Sequence, residues 1–232
     1  MVQTLKAREQ ELEELLRAYG RFVPDEFLKF LGKQSIADFQ LGDHVSKEMA
    51  IMFSDIRSFT ALAERISSQE NFDFINAYLQ RISPEIRNYN GFIVKYMGDG
   101  VMAVFPDGVD DAVRAGIAKL QQVRDYNQSR TIQGYAPLNI GIGIHVGDMM
   151  VGIVGEANRM QADALSDNVN LTARLEGLTK YYGVSLLISK EVVQRLREPE
   201  AYQVRLLDRA IVQGRTESIT VYEVLDAEVE PI

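Results

Sequence analysis

The segment GFIVKYMGDGVMAVFP, Gly91 to Pro106, limits the fold most tightly. Two apolar runs flank Gly98-Asp99-Gly100, so the chain reverses there and the runs pair as a hairpin. The tip presents a carboxylate with a glycine on either side, which leaves room for backbone and a ligand to approach. A second apolar run, Met49 to Ser54 (MAIMFS), also leads into an acid, Asp55, and reads as a buried strand. Between them Phe74, Ile75, Tyr78, Leu79, Ile82 and Ile86 recur at helical spacing, and Asn90-Gly91 closes that helix with a tight turn. The order is strand, helix, hairpin.

Downstream, a helix is predicted from about Asp110 to Asn127, then a polar loop around Ser129 to Pro137. The run LNIGIGIHVGDMMVGIVG is rich in Ile and Val but carries Gly141, Gly143, Gly147, Gly152 and Gly155. These glycines predict two strands with a turn at Gly147-Asp148. No G-x-G-x-x-G opens a helix there, which argues against a dinucleotide fold. SDNVNLTARLEGLTKYYG predicts an amphipathic helix with Val169, Leu171, Leu175 and Leu178 on its apolar face and Gly183 just past its end. A strand VSLLIS, a helix from about Lys190 and a strand pair around AYQVRLLD and ITVYEVL complete an α+β chain without internal repeats.

At the N-terminus, Leu5, Leu12 and Tyr19 lie seven residues apart, with Leu15 at a d-like position, giving a helix with one apolar seam. Two readings fit: a surface helix packed on its own domain, or a parallel dimer stalk entering from an upstream domain. Gly20 stops this helix, and Pro24 opens a second one, PDEFLKFLG, closed by Gly32. The expected division is a helix over 1–19, a connecting segment over 20–46 and a catalytic domain over 47–232.

Charge and composition narrow the function. Lys and Arg number 25 against 33 Asp and Glu, a net charge of −8, and the pI is near 4.9. That balance argues against broad binding to nucleic acid or an anionic membrane. No cysteine is present, which removes thiolate catalysis and cysteine metal sites. No apolar stretch approaches the roughly 20 residues that span a bilayer, and the charged N-terminus is not a signal peptide. The expected setting is therefore the cytoplasm, with no direct membrane insertion by this chain, while a full-length protein carrying it could be membrane-tethered. His44 and His145 lack paired metal-ligand spacing and are read as structural, and no nucleophile elbow surrounds a serine. Chemistry then falls to carboxylates, cations or metals. Asp55 and Asp99 suit magnesium bound with substrate phosphates, although Gly98-Asp99-Gly100 taken alone is equally well read as a hairpin turn.

Resemblance adds to this reading. FSDIRSFT (Phe53 to Thr60) and KYMGDG (Lys95 to Gly100) resemble the two metal-binding segments of class III nucleotidyl cyclases. GIGIHVGDMMVGIVG resembles the glycine-rich strand pair of that family, and DALSDNVNLTAR (Asp163 to Arg174) resembles its substrate and transition-state helix. The similarity runs from about Met49 to Leu225, with the four motifs in order. It implies a ferredoxin-like palm, βαββαβ, with additional C-terminal strands and helices.

The resemblance also implies roles. Asp55 and Asp99 would bind two Mg²⁺ or Mn²⁺ per active site, with the Ile56 carbonyl joining them. The N–H groups of Phe59 and Thr60 would bind the triphosphate, as helix N-termini favour anions. Lys95 and Asp163 stand where the family reads the base, with Ala164 beside them at the substrate. Lysine can donate to adenine N1 and aspartate can accept from the exocyclic amine, so the pair complements ATP rather than GTP. Asn170 would orient the ribose, and Arg174 would meet the α-phosphate with a guanidinium suited to phosphate oxygens. In place of the lysine-rich turn of many members stands Val212-Gln213-Gly214-Arg215, where Arg215 is the candidate contact to the terminal phosphates.

The implied activity is an adenylyl cyclase that makes 3′,5′-cyclic AMP and pyrophosphate. Its sites would be shared between head-to-tail subunits of a homodimer, under an upstream sensor domain. A guanylyl or dual-substrate cyclase, and a nucleotide-binding module without turnover, remain the alternatives.

Overall fold

In the computed structural model, the described residues are 2–20, 25–211 and 218–225. They fall into two compact units, Met1–Val45 with Val151–Asp163, and Ser46–Met150 with Ala164–Ile232.

The larger unit starts in β1 (His44–Ile56), followed by the short α3 (Phe59–Ala63) and the long α4 (Ser68–Asn88). Ser67 accepts from the Glu70 amide, and Glu70 returns the contact to the Ser67 amide, which fixes where α4 starts. The hairpin of β2 (Phe92–Met97) and β3 (Gly100–Phe105) pairs Met97 with Gly100, so Gly98 and Asp99 form its two-residue loop, as the sequence predicts. Then come α5 (Val109–Ile132) and β4 (Ile140–Glu156). After β5 (Arg159–Leu165), the chain forms α6 (Asp167–Tyr182), β6 (Leu186–Ser189), the single turn α7 (Lys190–Val193), β7 (Val204–Ile211) and β8 (Ser218–Val224).

The eight-stranded sheet runs β2-β3-β1-β4-β6-β8-β7, with β5 paired to β4. Its first four strands in this order, with α3–α4 and α5 as crossovers, form the βαββαβ palm, and β6 to β8 extend it. One face carries α4 and α5: Tyr78, Ile82 and Ile86 pack with Ala50, Met52, Ile142 and Ile144 in the main core. Leu171 and Leu175 of α6 pack with Ile219 and Val221 in a second cluster.

β4 corrects the sequence reading. No turn interrupts it at Gly147-Asp148, and it is one strand of 17 residues. Gly141, Gly143 and Gly147 alternate with Ile140, Ile142, Ile144 and Val146, so they share one face. There α6 comes too close for a side chain. A Cβ on Gly141 would lie 2.2 Å from Thr179 Oγ1, on Gly143 2.4 Å from the Glu176 amide nitrogen, and on Gly147 2.4 Å from Asn168 Nδ2. The actual reversal comes at Ala157-Asn158, just past Gly155 (φ +132), and β5 follows as a strand that the sequence reading missed.

The smaller unit holds α1 (Val2–Tyr19) and α2 (Asp25–Phe30). Gly32 (φ +66) follows α2, and Ile153 donates to the Asp43 carbonyl at 2.8 Å. Lys33 and Asp43 pair at 2.7 Å. Leu12 and Leu15 of the N-terminal seam are 58% and 48% exposed. No described helix is long and apolar enough to cross a membrane.

Candidate active site

Strand register delivers the two carboxylates together. Ser54 pairs with Val101 across β1 and β3, which sets Asp55 beside the hairpin tip that carries Asp99. The Ile56 amide donates to Asp55 Oδ1 at 2.9 Å and to Asp99 Oδ2 at 3.2 Å, so one backbone N–H serves both. A Cβ on Gly100 would stand 3.6 Å from Asp55 Oδ1, which is ordinary contact. Burial, a hydrogen bond shared with Asp55 and the charge of Asp55 push the Asp99 carboxyl up to about 7.

A third carboxylate faces this pair. Asp55, Met97, Gly100, Ala173 and Glu176 line a cavity of about 310 Å³. Burial, and then Asp55, raise the Glu176 carboxyl to about 7, with Arg57 opposing. The buried Tyr78 hydroxyl has no hydrogen-bond partner among the described residues. Its pKa rises through burial and through the charges of Asp99, Asp55 and Glu176. Oxygen donors crowded until they hold protons are the chemistry a hard divalent cation relieves. Among the described residues no group of three or more His, Asp or Glu gathers tightly enough to hold an ion alone. The candidate donors are the carboxylates of Asp55 and Asp99 with the Ile56 carbonyl, and the chemistry of these oxygens fits such an ion.

The segment after Asp55 is tightly held. The Arg57 amide donates to the Asn139 carbonyl at 2.8 Å, and its guanidinium donates to the carbonyls of Thr179 and Val184 near the end of α6. Ser58 sits in the left-handed region (φ 58, ψ 29) at the start of α3. Phe59 stacks on Phe74 with centroids 6.1 Å apart, which orients the first turn of α3. Phe59 and Thr60 open that turn, where backbone N–H groups lack intrahelical acceptors.

The other sequence candidates are placed as follows. Lys95 lies half-buried on β2. Asp163 and Ala164 are buried on β5, 7% and 2% exposed, so Asp163 stands on a strand and not on the helix. Asn170 is exposed on α6 and Arg174 is half-buried one turn on, its Nη1 buried without a hydrogen-bond partner among the described residues. Arg215 and its turn lie outside the described residues. His145 bonds Ser189 at 2.8 Å and Asn168 at 3.2 Å, whereas His44 bonds the Gly42 carbonyl at 2.8 Å. They share no site.

The family described as "Adenylate and Guanylate cyclase catalytic domain" matches residues 43–225. An adenylate cyclase of Anabaena cylindrica is 38% identical over 220 residues, 92% of this chain and 44% of its own length. The crystal structure of the adenylyl cyclase CyaB from P. aeruginosa superposes with a TM-score of 0.71 at 31% identity, over 82% of this chain and 97% of that one. A bacterial light-regulated adenylyl cyclase gives a TM-score of 0.80 at 27% identity, covering 98% of this chain and 66% of that one. The chain spans half or less of the length of the first curated relatives it matches.

Proposed function

The chain belongs to the adenylate and guanylate cyclase catalytic domain family, and we propose that it converts ATP to 3′,5′-cyclic AMP and pyrophosphate. The observation that carries this reading is the convergence of Asp55 and Asp99 on the Ile56 amide, where their crowded carboxylates call for divalent cations. When bound, Mg²⁺ or Mn²⁺ at these residues lowers the pKa of the ribose 3′-hydroxyl and neutralises phosphate charge, with two ions per site.

The chain's own residues supply the rest. Lys95 donates to adenine N1 and Asp163 accepts from the exocyclic amine, with Ala164 against the substrate. The amides of Phe59 and Thr60 hold the triphosphate, and Arg215 meets its terminal phosphates. Asn170 orients the ribose so that its 3′-oxygen lies in line with the α-phosphorus. The 3′-O–P bond forms as the bond from the α-phosphorus to the bridging oxygen breaks, the 3′-proton leaves to solvent, and pyrophosphate departs. Arg174 stabilises the charge that grows on the α-phosphate.

The helix that carries Asn170 and Arg174 supports a site shared between two subunits. Ala173 and Glu176 face the cavity beside Asp55 of their own chain. At about 100° per residue, Arg174 lies roughly 100° around the helix from Ala173 and roughly 160° from Glu176, turned away from that face and available to the site of a partner. A head-to-tail homodimer with two equivalent sites follows. The exposed Leu12 and Leu15 fit a dimer stalk below an upstream sensor domain, and the greater length of the curated relatives agrees with an output domain of a longer cytoplasmic protein. The divisions at residues 19 and 46 are part of this proposal. Deleting 1–19 should weaken dimerisation or change the basal rate.

The test is cyclic nucleotide formation from ATP and from GTP, with Mg²⁺ or Mn²⁺, by the wild type and Lys95→Glu. Preferential cyclic AMP, lost in the variant, is expected. Preference for GTP would reassign the base, and ATP binding without a cyclic product would reduce the chain to a binding module.

A further inference from the structure

A cavity of about 470 Å³ lies behind the segment that follows Asp55, and Arg57, Arg65 and Arg130 all line it. No carboxylate lines it among the described residues, in a chain whose net charge is −8. Two of the guanidinium groups are already fixed. Arg57 is tied to the Thr179 carbonyl at 3.2 Å, with its Nε buried and lacking a hydrogen-bond partner among the described residues.

Arg130 is 7% exposed, and its Nε donates to the Ala136 carbonyl at 3.0 Å. Its guanidinium lies 5.1 to 5.6 Å from the ring centroids of Phe74, Tyr126 and Tyr135. Held by aromatic faces and one carbonyl, this buried cation makes no ion pair among the described residues, although Glu70 and Asp73 line the adjoining cavity that it also borders, and a guanidinium already immobilised loses little entropy on meeting an anion. Arg65 is exposed and has no ion-pair partner among the described residues, so a third fork is available at the rim. The remaining wall is largely apolar, from Ala61, Leu62, Pro137 and Leu138.

We propose that this cavity binds a small organic oxyanion, a carboxylate or phosphate ester on an apolar body, gripped by Arg65 and Arg130 and seated against Leu62 and Pro137. The oxyanion supplies a counter-ion to these cations, and planar guanidinium groups read either anion through paired N–H donors. The cavity shares no lining residue with the one beside Asp55, although Arg57, Ser58 and Ala61 flank Phe59 and Thr60, and the proposal does not depend on the proposed cyclase activity.

The test is calorimetric titration of the whole chain with phenyl phosphate, phenylacetate and, as the neutral control, benzyl alcohol. Saturable binding of one equivalent of either anion is expected, and which one binds identifies the anion. Arg65→Ala and Arg130→Gln should each weaken it by about tenfold or more, whereas Arg174→Ala binds as the wild type does. Arg65 is exposed, so its variant remains informative if Arg130→Gln does not fold. The proposal falls if neither anion saturates below millimolar concentrations, if benzyl alcohol binds equally well, or if Arg174→Ala and not Arg65→Ala removes binding.

Discussion

Replacing Gly143 with alanine puts a backbone contact between β4 and α6 under load. The new Cβ would stand 2.4 Å from the amide nitrogen of Glu176 and 2.9 Å from both Glu176 Cα and the Leu175 carbonyl carbon. All three atoms are backbone of α6, so no side chain can swing aside. Comfortable contact needs roughly 3.5 Å, so α6 must retreat from β4 by about 1 Å. Overpacking of this kind costs about 1–3 kcal/mol. In a chain of this size that lowers the melting temperature by several degrees, up to about 10 °C.

The functional effect should be larger, because Asn170 and Arg174 ride on the same helix. A displacement of about 1 Å in groups that position substrate costs roughly a hundredfold in rate. Gly177→Ala is the control: a Cβ there meets nothing within 4 Å, and alanine favours the helix by about 1 kcal/mol. The assay pairs thermal unfolding with initial rates of cyclic AMP formation at saturating ATP. If Gly143→Ala matches the wild type in both while folding normally, α6 is not held by backbone contact and the reasoning fails.

Other perturbations follow from single residues. Lys119 is fully buried with its Nζ 2.5 Å from Ser54 Oγ, and burial lowers its pKa from 10.5 to about 7. Between these values the unfolded chain keeps a proton that the folded one has lost, so stability rises with pH across that window. Lys119→Met should flatten the rise and, with the shift worth roughly 5 kcal/mol at most, stabilise the protein below pH 7 by a few kcal/mol after the Ser54 hydrogen bond is lost. Urea unfolding from pH 6 to 10 reads this, and an unchanged slope would contradict it. Ser58→Gly relieves a left-handed serine (φ 58). That strain costs about 1–2 kcal/mol, glycine's extra freedom in the unfolded chain takes back about 0.5–1, and a net gain near 0.5 kcal/mol in denaturant unfolding is expected. A loss would show that the Ser58 side chain makes a contact that stabilises the loop.

The hairpin and its carboxylate were legible because alternating apolar runs around a Gly-Asp-Gly leave the chain few options, and Asp55 was legible because an acid ending a buried strand is rare. The long β4 was misread for a physical reason. A glycine records only that a side chain is missing, and whether it marks a turn or a close neighbour depends on α6, about 30 residues later. β5 was missed because its alternation is weak: Arg159, Met160 and Gln161 are exposed. Glu176, Tyr78 and Arg57 escaped notice because their importance comes from what faces them. Tyr78 reads as one more apolar position of α4, and Glu176 as a polar residue of an amphipathic helix. Lys119 falls at core spacing with Ala112, Ala115 and Val123, but nothing in the sequence shows that its amine cannot reach water.

The central claim is that Asp99 of one chain works with Arg174 of another at a shared site. The most direct measurement is cyclic AMP formation from ATP with Mg²⁺ or Mn²⁺ by Asp99→Ala, by Arg174→Ala and by their equal mixture. Two inactive variants whose mixture recovers part of the wild-type rate are predicted, because one of the two sites in a mixed dimer keeps both residues. A mixture as inactive as its components, with mixed dimers shown to form, would place both residues in a single-chain site and contradict the account.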